Sequence, residues 1–247
     1  MIKLERLNAP IKLTPAFVAA KTDEFKTMGA SVWNIEWLKE ALCALSHDKC
    51  AYCECSVKKE SNYMEVDHFE DKSHNPDKVM QWDNLLPSCK HCNGHKSTHD
   101  VVKEPIVNPF VDDPRNHLYL QNYRYKHKDK KGWYTKEVLQ LNDEERNLPG
   151  IRFDIGNGLE KLIDQLGDRY ENYKNNTNVI NRNKMLGVLV EMLKLCQPES
   201  EYSALCSTVL HSSNDYLQLR VNLQSEGLWN DDLEKMHQKS RSLCLFK

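Results

Sequence analysis

Apolar side chains recur at helical spacing near both ends of the chain and lose that rhythm in the middle. Ile35, Leu38, Leu42 and Leu45 form one apolar face and predict a helix over 32–47. Before it, Thr14-Pro15 reads as an N-cap followed by proline at the first helical position, with Gly29 as the stop, which predicts a helix over 15–28. Toward the far end, Leu159, Leu162, Ile163, Leu166 and Tyr170 make a second stripe and 178–196 a stronger one, with two or three shorter helices to follow.

Residues 50–115 show little periodicity and many breakers: Asn75-Pro76, Pro87, Gly94, Asn108-Pro109 and Asp113-Pro114. Two β-prone runs, 118–125 and 133–141, flank KHKDKKG and predict a hairpin with a basic tip. The stretch LNDEERNLPGIRFDIGNG reads as a connector. The predicted class is therefore α+β. Its organisation is 1–156, made of N-terminal helices (1–49), a breaker-rich core (50–115) and a basic hairpin region (116–156), and then 157–247, a helical packing or partner-binding domain.

Composition narrows the function. None of the apolar runs in the 247 residues reaches signal-peptide or membrane-spanning length, so a soluble cytoplasmic protein without a membrane partner is expected. A net charge of -2 does not mark a general polyanion binder. Within 116–136, however, Arg124, Lys126, Lys128, Lys130, Lys131 and Lys136 face one acid, Asp129. With Tyr123, Tyr125, Trp133 and Tyr134 interleaved, this run suits a nucleic-acid backbone with rings left to stack on bases, and suits a solvated hairpin tip equally well. Arg124 and Lys126 are the substrate-binding candidates.

Nine cysteines is an odd number, and four of them form two pairs, Cys50-Ala-Tyr-Cys53 and Cys89-Lys-His-Cys92, separated by 35 residues. In a cytoplasmic setting, paired knuckles of this spacing favour metal thiolates over disulfides, and four thiolates suit a structural Zn2+. The intervening segment has only ten apolar side chains besides cysteine, too few to hold it folded without a clip. Cys55 is a rival ligand that breaks the matched spacing. His74, His91 and His99 read as exposed, and Trp82 as a core residue under the knuckle.

Inside this frame lie EVDHF (65–69), WDNLLPSC (82–89) and CNGHKS (92–97). Together with the two CxxC pairs, these segments resemble the HNH, or ββα-metal, endonucleases over about residues 50–99. Hydrolysis of a phosphodiester needs an activated water and charge stabilisation at the phosphate and the leaving oxygen. A neutral histidine and one hard cation, Mg2+ or another divalent ion, can supply them. The resemblance implies that His68 is the general base, Asp67 a ligand of that cation, and Asn84 the residue that pins the loop between the strands. It also implies Asn93 as the other ligand and leaves Lys96 to touch phosphate. His95 is the rival to Asn93, because it restores the letters HNH; residues two apart on a helix point to nearly opposite sides, which favours Asn93.

A wider resemblance covers about residues 1–145. The opening MIKLERLNAP, the helix leading into CAYCE, and NPFVDDPRNHLYL followed by LQLND look like the HNH subunits of Septu-type anti-phage systems. This implies a defence nuclease with an ABC/SMC-like ATPase partner, PtuA, and in retron-associated relatives a reverse transcriptase with its RNA–DNA product. The alternative is a zinc-stabilised nucleic-acid or protein binding module with an inactive HNH core.

Overall fold

The structure is a computed structural model that describes residues 1–59 and 62–247. It divides into two compact units, Met1–Leu118 with Lys126–Leu141, and Tyr119–Tyr125 with Asn142–Lys247.

In the first unit, helix α1 spans Pro15–Met28. The Thr14 hydroxyl accepts from the Phe17 N–H at 3.2 Å, and Gly29, at φ +66°, returns its N–H to the Phe25 carbonyl. Both ends are closed by the residues that mark them in the sequence. Helix α2, Glu36–Leu45, is shorter than 32–47 at both ends. Ile35 is extended at its start, and beyond Ser46 the left-handed His47 and Asp48 turn the chain away. Leu38, Leu42 and Leu45 are buried, and the helix packs on a small sheet.

That sheet has the order β1 (Lys58–Lys59), β2 (Asn62–His68), β3 (Leu85–Cys89), all antiparallel. The register sets Met64 opposite Cys89 and His68 opposite Leu85. Pro87, which has no N–H to give, is accommodated because β3 is an edge strand. Helix α3, Lys90–Lys96, follows directly and packs back on β2, completing a ββα unit. Strand alternation puts Glu65 and Asp67 on the face toward α3, and Met64, Val66 and His68 on the other.

The expected hairpin of 118–125 with 133–141 does not form; the first run and the residues just after it make a hairpin of their own. Strands β4 (Leu118–Gln121) and β5 (Arg124–His127) are joined at Asn122-Tyr123, both with positive φ, a two-residue turn suited to the strand twist. The run 133–141 is not a strand. It contributes to helix α4, Lys130–Val138, whose N-cap Asp129 accepts from the Gly132 N–H at 2.7 Å. Tertiary packing overrides its β-propensity. A Cβ at Gly132 would lie 2.0 Å from the His117 carbonyl oxygen, and Thr135 is fully buried with its hydroxyl accepting from the Val107 N–H. The basic run is thus a strand end and a helix start rather than a loop tip.

In the second unit, helix α5 spans Leu148–Asn175, so most of the expected connector is its first turns. Pro149 sits at the helix start, where its missing N–H costs nothing. Leu159, Ile163, Leu166 and Tyr170 are buried against Met185, Leu189, Met192 and Leu193 of α6 (Val179–Leu195). Three shorter helices follow, α7 (Ser203–Ser212), α8 (Asn214–Ser225) and α9 (Asp231–Arg241). Among the described residues no helix is long and apolar enough to cross a membrane.

This helical core encloses two histidines. His237 Nδ1 meets the Tyr216 hydroxyl at 2.6 Å, and His211 Nε2 meets the Ser240 hydroxyl at 2.7 Å. Burial, first of all, lowers their pKa values to about 4 and about 3 respectively. Unfolded, each takes up a proton near pH 6.5; folded, each stays neutral well below that. The unfolded chain therefore binds more protons in this window, and stability must fall as pH drops below about 6.5. Urea unfolding followed by far-UV circular dichroism should show a lower midpoint at about pH 5 than at about pH 7.5; equal midpoints would refute the neutral, buried assignment.

Candidate metal centres and active site

The two knuckles meet. Sγ atoms of Cys50, Cys53, Cys89 and Cys92 all lie within 4.8 Å of one another, and all four residues are buried. A tetrahedral zinc with Zn–S bonds of about 2.3 Å separates its sulfurs by about 3.8 Å. The Cys53 and Cys89 sulfurs are 3.7 Å apart, so the donor set fits that ion. Cys55, half-buried, has its sulfur 3.3 Å from Cys53 and lies outside the foursome. The knuckles are also tied into the ββα unit. The Ala51 N–H donates to the Pro87 carbonyl at 2.9 Å, and Cys89 caps α3, its sulfur accepting from the Cys92 N–H.

Tyr52, inside the first knuckle, carries the frame into the second cluster. Its fully buried hydroxyl donates to Asp67 Oδ2 at 2.6 Å. Burial and the adjacent Asp67 charge hold the phenol well above its ordinary pKa, so it stays a donor. The other oxygen, Asp67 Oδ1, accepts from the Lys96 ammonium at 3.0 Å, and the same ammonium donates to the His68 carbonyl at 2.6 Å. Lys96 is therefore not on an exposed face where phosphate contact was expected. Its side chain has no exposed area, and a buried ammonium is tolerable only against a paired charge. The Asp67 oxygens are hard donors of the kind a divalent ion takes, with Oδ2 on the Tyr52 phenol and Oδ1 on the Lys96 ammonium.

His68 points to the opposite face of β2, into a different environment. Its ring meets the Trp33 ring edge-on, centroids 4.6 Å apart, and its Nε2 is 3.0 Å from the Val79 carbonyl oxygen. A carbonyl can only accept, so the proton is on Nε2 and the lone pair on Nδ1. Burial lowers the ring's pKa to about 4, against an upward pull from Asp67, and the imidazole is neutral at pH 7. Asn84 holds the loop that follows. Its Oδ1 accepts from the Glu70 N–H at 2.7 Å, its Nδ2 donates to the carbonyls of Glu70 and Lys78, and its own carbonyl accepts from the Phe69 N–H. Because Val79 directly follows Lys78, the same bonds fix the carbonyl that His68 needs.

On α3, Asn93 faces β2 and donates from Nδ2 to Glu65 Oε2 at 2.8 Å. His95 is exposed and turned toward His91, their rings 4.4 Å apart. Asn93 thus meets Glu65 on β2, and His95 meets His91. His91, expected to be exposed, is buried. Trp82 is only half-buried and lies under the N-terminal segment, with its indole N–H on the Leu7 carbonyl and the Arg6 guanidinium over its ring.

The basic run is partly neutralised. Arg124 is exposed and pairs with Glu144 at 3.0 Å, Lys131 pairs with Asp112, and Lys136 with Glu137; Lys126 is half-buried on β5. One participant escaped the sequence reading. Tyr52 is an intervening residue of a CxxC, with no local signal of its partner 15 residues on. Glu65, which the sequence leaves open between a surface residue and an acid supporting the site, is bonded to Asn93.

The geometry is a ββα unit with a histidine and an aspartate on successive strand positions and an asparagine on the helix. The family model described as HNH endonuclease matches residues 50–99. Over 238 residues the chain is 42% identical to the Septu protein PtuB of Bacillus thuringiensis, a match covering 96% of this chain and 92% of that relative. A second Septu protein PtuB, from Bacillus mycoides (strain KBAB4), is 29% identical over 143 residues, 44% of this chain and 48% of the other. The chain is thus an HNH-domain protein. Within that class it belongs to the Septu PtuB family.

Two measurements check the cluster. Metal analysis of the full chain should find about one zinc per chain, and its removal by chelator should expose the amides of 50–99 to hydrogen exchange first. Lys96→Met strands the Asp67 charge in the interior and should lower unfolding free energy by about 3–5 kcal/mol in urea titrations; a loss under about 1 kcal/mol would show that the pair is not buried in solution.

Proposed function

We propose that this protein is a divalent-metal-dependent endonuclease that hydrolyses nucleic-acid phosphodiester bonds as the cutting subunit of a Septu assembly with PtuA, its ATPase partner. The single observation that carries the proposal is His68. It is a buried, neutral imidazole whose Nε2–H is anchored on Val79 and whose Nδ1 lone pair is left to act as a base.

His68 would take the proton of the attacking water at Nδ1. The carboxylate of Asp67, adjacent in sequence, favours the imidazolium that results, which is the electrostatic sense of its upward pull on the ring. Tyr52 fixes one Asp67 oxygen, and Asn84 keeps the Val79 carbonyl in register with the ring. Asp67 and the amide oxygen of Asn93 would hold a hydrated divalent cation such as Mg2+, whose chemistry is to stabilise charge on the scissile phosphate and the leaving oxygen. The zinc frame stays apart from this chemistry, since four thiolates leave no open position. Arg124 and Lys126 are offered as backbone contacts. Both relatives carry the Septu name, and the partner assignment follows it rather than the retron-associated assembly.

The test is cleavage of DNA and of total tRNA by the chain together with PtuA. His68→Ala should reduce cleavage by about 10²- to 10⁴-fold, the usual contribution of a positioned general base, while zinc content, helicity and partner binding are retained. Cleavage at the wild-type rate by His68→Ala would refute the assignment.

A further inference from the structure

An asparagine can ligate a cation only through its oxygen, yet its amide is nearly symmetric in shape, and a half-turn would present the NH2 instead. Glu65 decides which end faces where. Its Oε2 meets Asn93 Nδ2 at 2.8 Å. An ionised carboxylate has no proton to donate, so only the NH2 end can face it, and Asn93 Oδ1 is turned the other way. Glu65 and Asp67 share one face of β2, while Asn93 and Lys96, three apart, share one face of α3. The pairs Glu65–Asn93 and Asp67–Lys96 are therefore successive cross-links between the strand and the helix. A flip of the Asn93 amide would set its oxygen against the Glu65 carboxylate, two acceptors with no proton between them.

We propose that Glu65 is a positioning residue for the divalent-cation site, holding the Asn93 amide with its oxygen presented as the ligand. The proposal rests on the reading of Asn93 as a cation ligand. Glu65 itself binds nothing in this assignment; it acts through Asn93.

The experiment is Mn2+ binding to the full, zinc-loaded chain, read from the electron paramagnetic resonance signal of free Mn2+ rather than from cleavage. Glu65→Leu, which cannot accept a hydrogen bond, should weaken Mn2+ binding about 10- to 100-fold, the usual effect of losing a group that orients a ligand. Glu65→Gln should recover part of this, because its amide oxygen still accepts from Asn93 although the charge is gone. In an Asn93→Ala background, Glu65→Leu should cause no further loss. Zinc content and far-UV circular dichroism of each variant establish that the frame is intact. Glu65→Leu binding Mn2+ within about twofold of wild type, while Asn93→Ala loses it, overturns the positioning role and leaves the ligand reading standing. Equal losses in Glu65→Gln and Glu65→Leu, or a further loss on top of Asn93→Ala, overturn it in favour of a charge effect or direct ligation. Unchanged Mn2+ affinity in Asn93→Ala removes the ligand reading itself, and the proposal with it.

Discussion

Four buried sulfurs within 4.8 Å of one another close a loop of 35 residues that has too few apolar side chains to close itself. The second knuckle is also the cap of α3, so the four-cysteine cluster sets where that helix begins and how it approaches β2. The contacts that α3 makes with β2 follow from that approach. Asn93 is the residue immediately after the knuckle, and Lys96 lies one helical turn further along the same face. The first knuckle contributes as well, because Tyr52 bridges from between its cysteines to the Asp67 carboxylate.

The second organising feature is strand alternation. Asp67 and His68 are neighbours in sequence, yet a strand sends them to opposite faces of the sheet. Asp67 enters a polar cage where a phenol and an ammonium hold its two oxygens. His68 enters an apolar site beside Trp33, where burial keeps it neutral. An imidazole and a carboxylate one residue apart thus acquire different electrostatic settings, and a histidine that would be half-protonated near pH 6.5 in water is held neutral across the physiological range.

The helical unit follows other rules. Its core is aliphatic and contains Tyr216, His211 and His237 as a buried polar group, each histidine matched to a hydroxyl. No feature of this unit is required for the chemistry argued for His68.

Local signals in the sequence carried far. Thr14-Pro15 and Gly29 marked both ends of α1, and the stripe Leu38, Leu42 and Leu45 marked the buried face of α2, because caps and periodicity are read from residues a few positions apart. The two CxxC pairs identified the four-thiolate cluster for the same reason, since each knuckle is a short-range object and their chemistry is shared. The ligand-type residues of the HNH segment were also legible as residue types. Their environments were not. The burial of Lys96 against Asp67, the Tyr52 bridge, the Glu65–Asn93 bond and the anchoring of His68 on Val79 join positions 11 to 29 residues apart, with no local signature. The helix at Lys130–Val138 was misread from β-prone residues because a close approach at Gly132 and a hydrogen bond to Thr135 outweigh intrinsic preference. The sequence by itself determined which atoms could bind metal and which could take a proton. Only the tertiary structure decided which of them meet, because pairing and desolvation depend on neighbours that the chain brings together from a distance.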